Sequence, residues 1–397
     1  MAIRKSAIGN GQLSIVNLLA FCILCASVSL WLVSFSHAQS FDKASLAWTL
    51  PWDADWVTAV SFVGPSRLAA GNNLGDILVW DLPEKGGGPA PMPIRKLAGH
   101  TNTINRLLIT PDQRWLISAS NDHTIRIWDM QAEASETVTV VLNISARREA
   151  EARKQKVPAA VEAKVQVQKT ARVLTGHKDW VLGLSLTKNG NMLVSGDDKG
   201  EIIVWDLPSA KELRRWKLKG WAWAVAVEPQ GKSLLVSERI PLVFDSGQMS
   251  GLKLWNPQTG ELKADMSKEF KERMATAAFS PDGKYLAVAR GGESDGLTGK
   301  ITLLDPASGK KLKEFTPGHM YGATDLVFHP DGKHLLSTGR DTTVKIWSVP
   351  DGKLVKELGR PRGGQFKDWF HAVAVSPDGR RIAAADMAGQ VQVWASP

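Results

Sequence analysis

One pattern limits what this 397-residue chain can become: a short apolar strand ending on a large side chain and a turn former recurs seven times. The repeats close on Trp80-Asp81, Trp128-Asp129, Trp205-Asp206, Trp255-Asn256, Leu304-Asp305, Trp347-Ser348 and Trp394. Successive closing residues lie 48, 77, 50, 49, 43 and 47 positions apart. All but one spacing suit a unit of four short strands. Inside the strands, Ile125 and Ile127 alternate with Thr124 and Arg126, the period of a half-buried sheet.

A second signature precedes the first in each unit, a strand, a tight turn and another strand. It is clearest at Pro281-Asp282-Gly283, Pro330-Asp331-Gly332 and Pro377-Asp378-Gly379. Proline presets the first turn torsion, and glycine takes the positive φ that closes the hairpin.

From about residue 45 to 397 the chain resembles the WD-repeat (WD40) family, whose unit ends in Trp-Asp and carries Gly-His near its start. The resemblance implies an all-β fold, a seven-bladed β-propeller. It also implies a buried chain of His, Ser or Thr, Asp and Trp within a blade, favourable only when every member is satisfied. Carried over by position, the second repeat holds the full set in His100, Ser118, Asp122 and Trp128. The sixth holds it in His319, Ser337, Asp341 and Trp347. The third keeps His177, Ser195 and Trp205 but has Lys199 at the Asp position, with Asp197 and Asp198 just before it. The other four repeats lack most of the set, so their blades should depend on apolar packing.

Such a ring must hide its sheet edges. Only three residues follow Trp394, too few for an outermost strand, whereas residues 45–50 resemble the outer strands of other repeats. The N-terminal strand should therefore pair into the last blade. The spacing of 77 is explained by an insertion in the second repeat, residues 131–169, rich in Ala, Glu, Lys and Arg. Residues 145–156 favour a helix and Pro158 would stop it, so the insertion reads as a solvated, partly helical excursion, with a partner-docking arm as the alternative. Shorter excursions, 239–251 and 291–299, fall between second and third strands.

Ahead of the propeller, residues 1–38 read as a signal peptide: Arg4 and Lys5, an apolar run from Leu13 to Phe35, then Ser36-His37-Ala38 as the cleavage site. Residues 39–44 are a linker. An uncleaved membrane anchor through residues 13–35 is the alternative, because about 20 apolar residues can span a bilayer. The expectation is an exported, bacterial-type member, secreted or held in the periplasm or cell envelope. Both cysteines, Cys22 and Cys25, lie in the apolar run, so a cleaved chain would depend on its core alone. Beyond Arg4 and Lys5 the net charge falls from +9 to +7, a mild excess that gives no reason to expect nucleic acid.

Counting back seven residues from each turn proline, or its equivalent, aligns the seven innermost strands. The residues just before them are Trp56, Thr103, Trp180, Trp221, Arg273, Gly322 and Trp369. Two positions on come Thr58, Asn105, Leu182, Trp223, Ala275, Thr324 and His371. In propellers of this kind that rim surrounds the central channel. Tryptophan there offers a large, stiff contact area with one N–H donor. Trp56, Trp180, Trp221, Trp223, Arg273, Trp369 and His371 are thus the candidate partner-binding residues; packing between blades is the other reading of the tryptophans.

The chain has no phosphate loop, no His-Glu-x-x-His helix, no nucleophile elbow and no zinc-spaced Cys/His set. Asp53, Asp55, His371 and Asp386 read as turn and rim residues rather than a catalytic set. The expectation is a non-enzymatic, monomeric scaffold that needs no cofactor or metal and binds a protein or peptide. The alternatives are a propeller binding a glycan or small ligand, and a hydrolase or lyase with a site in its channel.

Overall fold

The computed structural model describes residues 41–52, 55–240, 250–291, 299–360 and 369–396. The leader and linker up to residue 40, Asp53, and the excursion residues 241–249 and 292–298 lie outside that set.

Seven sheets form, antiparallel apart from one added pairing in the first, and each begins with an innermost strand: Val57–Phe62, Ile104–Ile109, Val181–Leu186, Trp221–Val227, Met274–Phe279, Ala323–Phe328 and Phe370–Val375. Each innermost strand contacts that of the next blade, and the seventh meets the first. The chain is therefore a seven-bladed β-propeller, as its repeats imply. Closure follows the expected route, because Ser45–Leu50 pairs antiparallel with the last strand, Val391–Ala395, as the outer strand of blade seven. It buries Trp48 and Leu50, so the strand is part of the core as well as an edge cover.

Apolar residues alternate onto both faces of every blade and interleave with the neighbouring blade. Leu116, Ile117, Ile125, Ile127 and Trp128 of blade two are all fully buried, split between the cores facing blades one and three. Close approach also dictates residue size. A Cβ on Gly339 would lie 2.5 Å from the His319 ring, which leaves room only for glycine there.

The insertion departs from the solvated excursion read from its composition. It does contain a helix, Ile144–Ala152, but two strands flank it, Glu136–Val141 and Glu162–Lys169. They form a hairpin whose second strand runs parallel to Arg95–Ala98, giving blade one six strands. An element inserted in the second repeat thus covers the first. Leu142, Ala163, Val165 and Val167 are buried by it. The alternation Ala163, Val165, Val167 is the sequence signal for this strand, masked by the charged residues between.

The innermost strands share one irregularity. In all seven blades the register against the second strand slips by one residue near the start, leaving Thr58, Asn105, Leu182, Trp223, Ala275, Thr324 and His371 as bulged residues. A bulge twists the strand and re-aims its extra side chain. The ring thus turns one residue per blade away from ladder pairing at the same level, the level next to the rim tryptophans.

Candidate partner-docking face

Buried tetrads hold the loops that carry this face. In blade two His100 Nδ1 lies 2.7 Å from Asp122 Oδ2, and its Nε2 lies 2.7 Å from Ser118 Oγ, which accepts the Trp128 Nε1–H at 2.9 Å. Blade six repeats it: His319 Nδ1 to Asp341 at 2.9 Å, Nε2 to Ser337 at 2.7 Å, and Trp347 Nε1–H donating to Ser337 at 2.8 Å. Burial alone would raise the Asp122 carboxyl, but hydrogen bonds from His100 and Thr124 hold it well below the usual range.

Blade three has a complete tetrad as well, against the sequence alignment. His177 Nδ1 meets Asp197 Oδ2 at 2.8 Å, while Ser195 Oγ lies 2.6 Å from His177 Nε2 and accepts the Trp205 Nε1–H at 2.8 Å. Asp197 lies two residues earlier than Asp122 does in its own blade, on the second strand rather than in the turn. From there its other oxygen accepts the Lys199 and Glu201 N–H groups and organises the turn. Lys199, at the aligned position, points to solvent and pairs with Asp179 at 3.2 Å.

These sets share the connectivity of a Ser-His-Asp triad, yet the serines are no nucleophiles. Ser118, Ser195 and Ser337 are fully buried, and each Oγ accepts a tryptophan N–H.

The rim residues fall into three groups. Trp56 and Trp180 stand apart, 48% and 46% exposed, among the more exposed large apolar side chains described. Next to Trp180, burial and then the neighbouring Asp179 push the Asp198 carboxyl up to about 6. Beside Trp56, Asp55 receives the Ser145 hydroxyl at 2.9 Å and so anchors the insertion helix to this face.

The second group spans blades four and five. Trp221 pairs across the sheet with Arg239, whose guanidinium lies 5.0 Å from the Trp221 ring and 5.6 Å from Trp223. Arg273 from blade five covers the same Trp223 ring at 4.2 Å. The indoles and guanidiniums thus alternate as Trp221, Arg239, Trp223, Arg273, held by cation–π attraction.

The third group lies at blades six and seven, where Arg340 stacks on Trp369 at 4.3 Å. The neighbouring His371 is pushed down to about 4, chiefly by burial and then by the charges of Arg340 and Arg106. Arg106 of blade two crosses the channel to Asp325 of blade six at 3.0 Å. Asp325 also accepts from Thr276 of blade five and from the Val373 N–H of blade seven. On the far side of this polar crossing the channel widens into a cavity of about 580 Å³ walled by all seven innermost strands. Asp386 is buried, and its carboxylate caps its own turn through the Gln390 N–H.

Sequence alignment found the tryptophans, Arg273 and His371 but missed their partners Arg239, Arg340, Arg106 and Asp325. Arg239 and Arg340 lie at the ends of second strands, opposite the aligned rim positions, and that register is where a search would have found them.

Comparison with known proteins agrees with this geometry. The WD domain, G-beta repeat family matches residues 91–129, 168–206 and 309–348, the segments that build the three tetrads. The chain thus carries WD40 repeats. It is 25% identical to nuclear distribution protein nudF of Emericella nidulans over 304 residues, 68% of this chain and 65% of that protein. It is 27% identical to actin-interacting protein 1 of Drosophila melanogaster over 227 residues, 47% of this chain and 36% of that one. It is 23% identical to target of rapamycin complex subunit wat1 of Schizosaccharomyces pombe, over 64% of this chain and 67% of that one. The chain thus spans less than two thirds of nudF and of actin-interacting protein 1. The WD40 β-propeller domain of Doa1 superposes with a TM-score of 0.65 at 17% identity, over 89% of this chain and 97% of that structure.

Proposed function

We propose that the protein is a non-catalytic interaction scaffold that grips an acidic segment of a partner protein on its tryptophan-bearing face. The observation that carries this reading is the alternating stack Trp221, Arg239, Trp223, Arg273, with a separate pair of the same kind at Trp369 and Arg340. Stiff indoles supply contact area at little entropic cost, while the guanidiniums stacked on them bring positive charge to the same face, which suits an acidic segment. One relative is named for actin interaction and another as a complex subunit, which supports protein binding. The histidine, serine and aspartate residues that could suggest hydrolysis are taken up by the tetrads.

A crosslinking pull-down would identify the partner, and titration of its acidic peptides would test the face. Trp221→Ala with Arg239→Glu should lower affinity at least tenfold with an unchanged melting temperature. Unchanged affinity would defeat the reading, and tryptophan quenching by neutral sugars with no protein recovered would favour the glycan alternative.

The same reading places the protein outside the cytoplasm as a monomer, with the leader removed after Ala38. This rests on the leader sequence alone, including its bacterial type, since the relatives named above come from eukaryotes. N-terminal sequencing of the mature protein would show Gln39 first if cleavage occurs, and the intact leader if residues 13–35 stay as an anchor.

A further inference from the structure

The tight turn of blade six differs chemically from its counterparts. In blades five and seven a serine opens the turn: Ser280 donates to Asp282 and accepts the Tyr285 N–H, and Ser376 does the same with Asp378 and Arg381. Blade two uses Thr110 in this way, with Asp112 and Trp115. In blade six the serine position is His329, and the fifth residue on is His334. The His334 N–H goes instead to Asp331 Oδ1, which the Lys333 N–H also reaches.

Two imidazoles therefore aim at one carboxylate oxygen. Asp331 Oδ2 lies 3.0 Å from His329 Nδ1 and 2.7 Å from His334 Nδ1. The far nitrogen of His329, Nε2, donates to the Gly379 carbonyl of blade seven at 3.1 Å, and its Nδ1 accepts the Asp331 N–H at 3.2 Å. That fixes the neutral tautomer with its lone pair on Nδ1, facing another acceptor. A backbone carbonyl holding the distal N–H is the support that metal-binding histidines characteristically have. His329 is buried, while the Asp331 and His334 side chains are 31% and 22% exposed, so an ion has a way in. Phe41, at the start of the described chain, packs edge-on against both rings at 5.2 and 4.8 Å.

We infer that His329 Nδ1, Asp331 Oδ2 and His334 Nδ1 form a binding site for a borderline divalent metal ion, zinc foremost. Two imidazoles and a carboxylate suit zinc, cobalt or nickel better than magnesium or calcium, which take oxygen ligands. Tetrahedral zinc keeps its ligand atoms about 3.3 Å apart, so the two imidazole nitrogens, now 3.0 and 2.7 Å from Asp331 Oδ2 and within 4.8 Å of each other, would need to draw back from it by roughly half an ångström. Three protein ligands leave the fourth position to water. A proton between His329 and Asp331 would relieve one close pair; a metal ion satisfies all three atoms together.

The test uses the full chain, stripped with chelator and titrated with zinc chloride by calorimetry, with cobalt absorption as a second readout. One zinc per chain is expected, together with the absorption of tetrahedral cobalt bound by nitrogen and oxygen. His334→Gln and Asp331→Asn should each weaken binding about tenfold or more. His329→Ser, which restores the residue of blades five and seven, should do the same with the fold kept. Cys22→Ser with Cys25→Ser should change nothing. The inference is overturned by the absence of saturable binding, by affinity indifferent to both His329→Ser and His334→Gln, or by zinc lost with the cysteines.

Discussion

Arg106 reaches across the channel to Asp325, its Nη1 3.0 Å from Oδ1, tying blade two to blade six. The two partners are not equivalent. Asp325 also serves Thr276 and the Val373 N–H, whereas Arg106 is the one that leans across. Asp325→Ala should therefore cost about 3 kcal/mol, because it strands a partly buried guanidinium and a backbone N–H together. Arg106→Ala should cost clearly less, since Asp325 keeps its other donors. Urea unfolding of the two variants would check the order; equal losses would mean that the crossing adds little beyond side-chain packing.

Asp197, not Lys199, completes the third tetrad. Burial works against the Asp197 carboxylate, yet hydrogen bonds from His177 and the Glu201 N–H hold its titration below the usual range. Asp197→Asn should lower stability by about 1–3 kcal/mol. Lys199→Ala should leave the unfolding midpoint where it is. The opposite ranking in thermal melts would return the role to the aligned position.

Acid should weaken the fold through His371. Its ordinary value is 6.5, and in the folded protein it is pushed down to about 4. The unfolded chain takes up this proton first, so the histidine's contribution to stability declines as pH falls from about 6.5 to about 4 and is level above that window. His371→Gln should flatten that part of the stability–pH curve. An unchanged slope would assign the acid sensitivity to other groups.

Removing residues 132–168 and closing the gap with a short linker should destabilise the protein by several kcal/mol, at about 2 kcal/mol for each large side chain uncovered. Leu142, Ala163 and Val165 leave with the segment, and the core they share with Trp48, Trp52 and Trp80 loses that part of its cover. A deletion variant that melts like the parent would show that the hairpin rests on blade one without supporting it.

Blade number, closure and the members of two tetrads could be read from the sequence because each is a local pattern repeated at a fixed spacing. The third tetrad was misaligned, since counting positions cannot show that a carboxylate two residues earlier reaches the same histidine. The hairpin in the insertion was hidden because strand 162–169 finds its partner, Arg95–Ala98, in another repeat. Pairing across distant segments leaves no periodic trace, and a composition rich in Lys and Glu lowers strand propensity while the pattern Ala163, Val165, Val167 persists. The rim arginines were missed for a similar reason. A cation–π contact is set by which strand ends meet, and register is fixed only when the sheet forms.

Pairing Ser45–Leu50 with Val391–Ala395 also sets an order of events. The strand synthesised first waits for the one synthesised last, so six blades can assemble locally while the ring stays open. Closing it joins the most distant parts of the propeller, a contact with a high entropic toll that folding reaches late. Until then the edge of the last blade and the inner faces around Trp48 remain exposed. The propeller is thus most exposed to misassembly between the synthesis of its sixth blade and the pairing of Val391–Ala395 with Ser45–Leu50.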